Sequence, residues 1–308
     1  MAVQLTNLPE ARAYSLAEAL AMAVSILKLR IGSFVALAGL VGILTSGGTM
    51  NWVEVAVFTL AILGASGAAG AYNHYYERQS DLMMARTRQR PFASGKLKAG
   101  PIWPISFLML LAGSLFMGWS VGGTLATFLI FLGAATYAGV YTVWLKRRSL
   151  WNVVIGGAAG SFALLAGAAA AAPQFGPAIG PVPILLAAAL FLWTPPHFWA
   201  LAAAKGEDYR RAGIPMLPVV TGHRVWGPVI FIHVVFLVIL SLAPLYYGLG
   251  AVYGLCAAIG GGYFLVKSWQ LVRRDDRKTA MGAFFASLLQ FALLGIGVMA
   301  DRAVAWAF

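Results

Sequence analysis

Apolar stretches alternate with short polar segments along almost the whole chain. Nine of these stretches run for roughly 18–24 residues, and a helix of about 20 residues crosses the hydrocarbon core of a bilayer. They lie near residues 25–45, 54–76, 102–120, 122–144, 151–172, 182–204, 226–247, 250–269 and 280–300. The pattern therefore predicts an all-α, polytopic membrane protein with nine transmembrane helices.

Basic residues occur only in every second connection between these stretches. The connections near 46–53, 118–123, 173–181 and 248–251 contain no Lys or Arg. The other side holds 21 of the 22 basic residues, which leaves only Arg302 opposite. Because Lys and Arg are retained on the cytoplasmic side of a membrane, the pattern predicts a cytoplasmic N-terminus and a C-terminus outside.

Composition supports one membrane domain over residues 1–308, with residues 1–24 as a cytoplasmic N-terminal segment. The chain is 60% hydrophobic and 10% charged, whereas soluble domains carry about 25% charged residues. The net charge of +12 is spread over several loops, so we expect contact with the lipid bilayer and no nucleic-acid partner. The N-terminus contains Glu10 and Glu18 and lacks a basic start. It therefore predicts no cleaved signal or transit peptide, which favours a bacterial cytoplasmic (inner) membrane.

A polar stripe is predicted where the second apolar stretch ends. Asn73, Glu77 and Asp81 are spaced four residues apart, so on a helix they fall within ~80° of one face, each ~6 Å above the last. An amide and two carboxylates offer the hard oxygen ligands that Mg²⁺ takes together with substrate phosphates. Arg86 and Arg90 follow, and guanidinium groups bind phosphate with two parallel donors. The segment therefore indicates a membrane enzyme that acts on a diphosphate at the cytoplasmic face.

A second polar cluster follows the sixth apolar stretch, in the segment FLWTPPHFWALAAAKGEDYRRAGIPMLPVVTG (191–222). Two prolines before His197 are expected to interrupt or kink the helix, and such interruptions in a membrane mainly line protein cavities. Lys205 and Asp208 come next, on the same predicted side of the membrane as the polar stripe. This second cluster weighs against the simpler alternative, in which the acids of the stripe are solvated loop residues paired with a neighbouring arginine.

The first motif resembles a signature of the UbiA-type intramembrane prenyltransferases. The pattern is Nxxx(D/E)xxxD followed by MxRTxxRP, and it begins here at Asn73. The resemblance implies the nine-helix bundle of that superfamily and a prenyl diphosphate held with Mg²⁺. Glu77 stands where Asp is commoner, which extends the ligand by one methylene.

The second motif, WxxPHFWALA…DYxxAGIPMLPVV, is similar to the signature of the protohaem IX farnesyltransferases, or haem O synthases. The resemblance implies transfer of a farnesyl group from farnesyl diphosphate to the vinyl group of haem B, with addition of water, giving haem O and diphosphate. The catalytic and Mg²⁺-binding residues that it implies are Asn73, Glu77, Asp81 and Asp208, and the diphosphate contacts are Arg86, Arg90 and Lys205. Many members have a basic residue where this chain has Gly206. Haem A synthase or terminal oxidase assembly factors are the implied downstream partners.

His197 and His74 are the candidate contacts for haem. Each could ligate the iron or orient the substrate, and the alternative for each is a structural role in packing. The first acid position of the usual second Asp-rich motif is occupied here by the segment that contains His197.

Two other functions remain open at this point. A UbiA-type prenyltransferase with an aromatic quinone-precursor or chlorophyll-type acceptor predicts an acidic second motif in place of TPPHFW. A membrane transporter predicts charged groups near the bilayer midplane. The apolar stretches are almost free of charge, and the polar residues collect on one face.

Overall fold

A computed structural model describes residues 14–172 and 178–307, and all regular elements in these ranges are helical. The α-helices are α1 (Leu16–Ile26), α2 (Leu29–Thr45), α3 (Trp52–Tyr76), α4 (Ile102–Ala135), α5 (Asn152–Gly156), α6 (Ala158–Ala170), α7 (Pro181–Ala204), α8 (Gly206–Arg211), α9 (Leu217–Val220), α10 (His223–Leu242), α11 (Ala251–Arg273) and α12 (Arg277–Ala307). Two 3₁₀-helices (Ser80–Met83 and Ala243–Tyr247) and a π-helical segment (Thr136–Leu145) complete the set. Residues 1–13 of the predicted N-terminal segment, and residues 173–177 of one predicted connection, lie outside the described ranges.

The helices have the length and surface of a multi-pass membrane protein. Within the described residues, seven helical segments are long and apolar enough to cross a membrane, or eight if α1 and α2 together form one span. Large apolar side chains such as Leu108, Met109 and Ile239 are more than half exposed on the outer faces. Such a surface is suited to hydrocarbon rather than water.

The longest apolar segment, from Ile102 to Leu145, folds back on itself near its middle. Gly123 has φ 75° and ψ −175°, and only glycine adopts a positive φ without a steric cost. A straight helix would separate Gly118 from Ile130 by about 18 Å. Instead, a Cβ atom at Gly118 would lie 3.0 Å from Ile130 Cδ1. The chain therefore reverses at Gly123, between the third and fourth predicted stretches.

The long helices form two packed groups. One core joins α2, α3, α4 and α6 around Phe58 and Ile130. The other joins α7, α10, α11 and α12 around Trp199 and Phe264. A third cluster connects the groups where α2 and α6 pack against α7 and α11.

Glycines allow α2 and α6 to approach until their backbones touch. A Cβ atom at Gly167 would overlap the backbone oxygen of Gly39, and one at Gly42 would overlap that of Leu164. Without a hydrophobic driving force between helices in lipid, close packing of small residues supplies much of their attraction.

The start of the chain departs from the sequence-based expectation. The predicted first span is bent by 52° between α1 and α2, and residues 16–24, expected to form a cytoplasmic segment, belong to α1. Lys28 lies at the bend with φ 50°.

The expected interruption at the proline pair is not present. Pro195 and Pro196 lie inside α7, which continues through both of them to Ala204. The fixed φ of proline is compatible with a helix, although each proline removes one backbone donor. Helical backbone in a membrane tolerates this loss where neighbouring groups compensate.

Candidate active site

The three residues of the polar stripe lie on one side of the chain, although the helix beneath them ends early. α3 ends at Tyr76, but the Glu77 N–H donates to Asn73 O at 2.9 Å and the Asp81 N–H donates to Glu77 O at 2.8 Å. These bonds preserve a helical rise across the break. Asn73, Glu77 and Asp81 are only 1%, 3% and 4% exposed, so they are interior groups rather than solvated loop residues.

Each carboxylate of the stripe is paired with one basic side chain. Lys146 Nζ lies 2.5 Å from Glu77 Oε1 and 2.6 Å from Oε2. Arg90 Nη1 donates to both oxygens of Asp81, at 2.9 and 2.8 Å. The carboxylates are therefore buried as ion pairs, which is the state in which buried charges are tolerated.

Lys28 supplies a third cation. Its ammonium donates to Asn73 Oδ1 at 2.6 Å and to the Tyr137 hydroxyl at 3.0 Å. Among the described non-glycine residues, only Lys28 has a positive φ, a conformation that costs roughly 1–3 kcal/mol and concentrates at functional sites. Three basic side chains thus meet two carboxylates, an arrangement that suits an anion.

The π-helical segment presents further polar groups to the stripe. Thr142 Oγ1 accepts from Asn73 Nδ2 at 3.0 Å and donates to Tyr137 O at 2.8 Å. The backbone N–H of Lys146 donates to Tyr141 O at 2.9 Å. Both contacts on the segment join residues five apart, the spacing of a π-helix, and such segments are frequent at functional sites. This spacing directs Tyr137, Thr142 and Lys146 to the same cluster.

An aromatic group holds the loop that follows the stripe. The rings of Tyr75 and Phe92 lie 5.5 Å apart, and those of Phe92 and Trp103 lie 5.2 Å apart. Thr87 Oγ1 donates to the backbone oxygen of Asp81 at 2.8 Å. These contacts hold the loop through Thr87 and Phe92, on either side of Arg90.

Burial and the neighbouring cations act in opposite directions on Glu77. Burial raises the pKa of its carboxyl group. The positive charges of Lys146, Lys28 and Arg90 lower that pKa by more than burial raises it, so the pKa of Glu77 lies below its ordinary value. For Lys146, burial is the largest influence and lowers the pKa of the ammonium, against the opposing effect of Glu77. The Glu77 carboxylate is therefore ionised at neutral pH.

The second motif meets the first through Arg86 and Tyr209. The Arg86 guanidinium carbon lies 5.8 Å from the centre of the Tyr209 ring, and Met84 packs in the same core as Tyr209. Burial raises the pKa of the Tyr209 hydroxyl, partly offset by Arg86. The two sequence motifs are thus in contact.

Asp208 does not join the carboxylates of the stripe in this structure. It forms an ion pair of 2.6 Å with Arg211 on α8, and Lys205 lies half-buried at the end of α7. Within residues 14–172 and 178–307, no three Asp, Glu, His or Cys side chains are close enough to share a metal ion. The oxygen donors that lie together are those of Asn73, Glu77 and Asp81.

The two candidate histidines lie on different helices and differ in their partners. His197, on α7, has Nδ1 2.7 Å from the hydroxyl of Ser287 on α12. Its ring stacks on Trp193 at 4.3 Å. His74, on α3, is 3% exposed, and its Nδ1 has no hydrogen-bond partner among the residues that the structure describes.

An apolar channel begins at Lys28 and Tyr137 and extends between α2, α3, α4 and α6. Its cavity volume is about 90 Å³, so the channel is narrow. Alanine and glycine leave space along its wall; the lining residues include Ile62, Ala65, Ala69, Gly70, Ile130, Gly133, Ala159 and Gly160. The polar cluster thus lies at one end of a narrow apolar space.

Sequence reasoning missed Lys28, Lys146, Tyr137 and Thr142 as members of the site. It used the two lysines only to orient the chain in the membrane. The only local sign of the two lysines is their position at the edge of an apolar stretch. Many lysines that merely flank transmembrane helices share this position. Their contacts with the stripe depend on helix packing and on the π-helical segment.

Comparison with known proteins gives a family match over most of the chain. Residues 33–292 match the model of the UbiA prenyltransferase family. The chain is 50% identical to a protein of Paramagnetospirillum magneticum named protoheme IX farnesyltransferase 2, over 91% of this chain and 96% of that protein.

The fold also occurs in solved structures with little sequence identity. A structure described as digeranylgeranylglyceryl phosphate synthase matches with a TM-score of 0.75 at 16% identity, covering 92% of this chain and 98% of the other. A UbiA homologue from Archaeoglobus fulgidus, bound to GPP and Mg²⁺, matches with a TM-score of 0.67 at 16% identity, over 91% and 99% of the two chains.

Proposed function

Because the chain belongs to the UbiA prenyltransferase family, we propose that it transfers a farnesyl group from farnesyl diphosphate to a vinyl group of haem B. Water completes the reaction, and the products are haem O and diphosphate. The observation that carries the proposal is the buried polar cluster at the mouth of an apolar channel. A relative at 50% identity named for this activity supports the choice of acceptor.

The polar stripe is the proposed cradle for Mg²⁺ and the diphosphate. Asn73 and the carboxylates of Glu77 and Asp81 fit Mg²⁺, because their oxygens are hard ligands and Mg²⁺ commonly takes one or two carboxylates plus substrate phosphates. Bound there, Mg²⁺ would neutralise charge that accumulates on the departing diphosphate. The Mg²⁺ and GPP in a structure of the same fold support this assignment. Asp208 remains a proposed additional ligand, which would require it to exchange Arg211 for the metal.

The three resident cations have a proposed second role. Arg90 and Lys146 neutralise the carboxylates, and Lys28 donates to Asn73. With Mg²⁺ bound to these oxygens, the cationic groups would be available to phosphate oxygens within the same cluster. Arg86 and Lys205 would add to this positive field from the side of the second motif. Preorganised charge of this kind stabilises a leaving group without reorganisation during the reaction.

The apolar channel is the proposed site of the farnesyl chain. Its polar end contains Lys28 and Tyr137, so a diphosphate at the stripe would place the prenyl group in the channel. The bond between the allylic carbon and the diphosphate oxygen breaks with its electron pair on oxygen. A haem vinyl group then attacks the allylic carbon, and water adds to the resulting cation with loss of a proton. Exclusion of water from the channel would protect the allylic cation before the vinyl attack.

Haem B would approach from the side of the second motif, with His197 and His74 as its proposed contacts.

We also propose nine membrane crossings: counting α1 with α2 as one crossing and the segment reversed at Gly123 as two gives this number. The basic loops then place the N-terminus and the site at the cytoplasmic face and the C-terminus outside. A bacterial inner membrane agrees with the source of the named relative.

The decisive experiment supplies the purified protein, in lipid nanodiscs, with Mg²⁺, farnesyl diphosphate and haem B. Mass spectrometry should detect a haem product larger by one farnesyl group and one hydroxyl group. A parallel reaction replaces haem B with 4-hydroxybenzoate, an aromatic quinone precursor. Prenylation of that acceptor, with haem B unchanged, would refute the proposed acceptor and favour the alternative prenyltransferase.

A further inference from the structure

A hydrogen-bond chain on α12 fixes the tautomer of His197. The hydroxyl of Ser287 donates to the backbone oxygen of Phe284 at 2.6 Å. A hydroxyl has one hydrogen, so towards His197 Nδ1, at 2.7 Å, the serine oxygen acts as the acceptor. Nδ1 therefore carries the proton, and Nε2 of the neutral ring holds an unshared electron pair.

The surroundings of the ring leave that nitrogen free. Trp193 and Phe284 pack against the imidazole with centroid distances of 4.3 and 4.7 Å and interplanar angles of 19° and 30°. The Trp193 indole N–H also donates to the backbone oxygen of Ser287 at 2.8 Å. Trp193 and His197 are therefore both hydrogen-bonded to Ser287 on α12. His197 is 8% exposed as a residue, and within the described chain no hydrogen bond occupies its Nε2. That nitrogen is not among the fully enclosed side-chain atoms without a partner, so its electron pair stays accessible to a ligand.

We propose that Nε2 of His197 is the axial ligand of the haem B iron, and that Ser287 is the residue that positions it. The inference rests on the proposed function, in which haem B is the substrate. Histidines that bind metals usually donate their other ring N–H to an oxygen, which sets the tautomer and the ring orientation. The Ser287 contact supplies this arrangement.

The neighbouring surface is apolar, as contact with a porphyrin face requires. A small pocket of about 40 Å³ lies beside the ring cluster, and its apolar lining includes Trp193 and Phe291. His74 lacks the corresponding support, because its Nδ1 is enclosed and no oxygen accepts from or donates to it. The geometry thus separates the two histidines that are candidates in the sequence.

The test measures iron coordination without turnover. Purified protein in nanodiscs is titrated with haem B in the absence of farnesyl diphosphate, and absorption, electron paramagnetic resonance and the iron–histidine Raman band identify the axial ligand. We expect a histidine signature in the wild type, its loss in His197→Gly and its return when free imidazole is added. His197→Met should replace it with a thioether signature, which a collapsed site would not produce. Ser287→Ala should weaken haem affinity by about 10-fold or more and shift the Raman band.

Two controls separate ligation from general damage. Iron-free protoporphyrin IX should bind the wild type and His197→Gly with the same affinity, since it lacks the metal. His233→Ala alters another membrane histidine, whose Nδ1 contacts Val229 O at 2.9 Å, and it should keep the wild-type spectrum.

A histidine signature that survives in His197→Gly, or disappears in His74→Ala instead, would overturn the assignment. An unchanged Ser287→Ala affinity and Raman band would overturn the positioning role. The proposed function fails by a different result, which is wild-type protein that binds haem B but forms no haem O.

Discussion

Glu77 and Asp81 are both more than nine-tenths buried, and each has one basic side chain in contact. Removing a charge from this cluster therefore changes both the binding of an anion and the balance of buried charge. The two effects can be separated by measuring turnover and thermal unfolding on the same variants.

Asp81→Asn should reduce farnesyl transfer by roughly 10²–10³-fold, because it removes a proposed metal ligand while keeping the side-chain shape. The measurement is the initial rate of haem O formation at saturating Mg²⁺. Glu207→Gln is the matched control: Glu207 is 67% exposed in a surface pair with Arg210, and such pairs contribute little. Near-normal turnover in Asp81→Asn would contradict the metal-cradle assignment.

Lys146→Met should destabilise the protein by about 3–5 kcal/mol, since it leaves the Glu77 carboxylate buried without its partner. The double variant Glu77→Gln with Lys146→Met removes both charges, and its unfolding temperature should recover most of the loss. Turnover should stay low in both variants, because neither keeps the polar cluster. If the single variant unfolds like the wild type, the ion pair does not hold the site together.

At the scale of elements, the π-helical segment decides which side chains reach the stripe. Deletion of Gly139 would place Tyr137 and Thr142 four residues apart, the spacing of an α-helix, and would change the direction of Lys146 relative to Tyr137. We expect turnover to fall to background while the protein still inserts in the membrane. Gly139→Ala is the control, because an added Cβ there has open space and the π-spacing is unchanged. Full activity in the deletion variant would exclude a role for the segment.

The contact between α2 and α6 tolerates no side chain at its closest point. Gly167→Leu should destabilise the protein by about 3 kcal/mol or more, because the added atoms would overlap the backbone of Gly39. Gly113→Ala places a methyl group where nothing lies within 4 Å and should leave the unfolding temperature unchanged or slightly raised. Equal unfolding temperatures for the two variants would show that α2 and α6 can move apart without loss of stability.

At the scale of the whole molecule, the distribution of basic loops predicts the orientation in the membrane. In a Cys256→Ser background, Lys98→Cys should react with a membrane-impermeant maleimide only after the cytoplasmic side is opened. Tyr246→Cys, at a position 87% exposed near a connection without basic residues, should react in intact spheroplasts. Reaction of both positions from the same side would contradict the predicted topology.

The sequence determined what depends on local geometry. Apolar length predicted the membrane-crossing helices, and charge predicted their orientation. The four-residue spacing predicted that Asn73, Glu77 and Asp81 share one side, because a helical backbone fixes the rise between them. The two motifs predicted the family that the comparisons confirm.

Only the tertiary structure decided which distant groups meet. The contacts of Lys28 with Asn73 and Tyr137 span 45 and 109 residues, and that of Lys146 with Glu77 spans 69. The contact of His197 with Ser287 spans 90 residues. Such contacts depend on how helices pack, on the reversal at Gly123 and on a π-helical segment that shows no periodic signal. Spacing along the chain fixes neighbours within a helix, whereas packing between helices assembles the site.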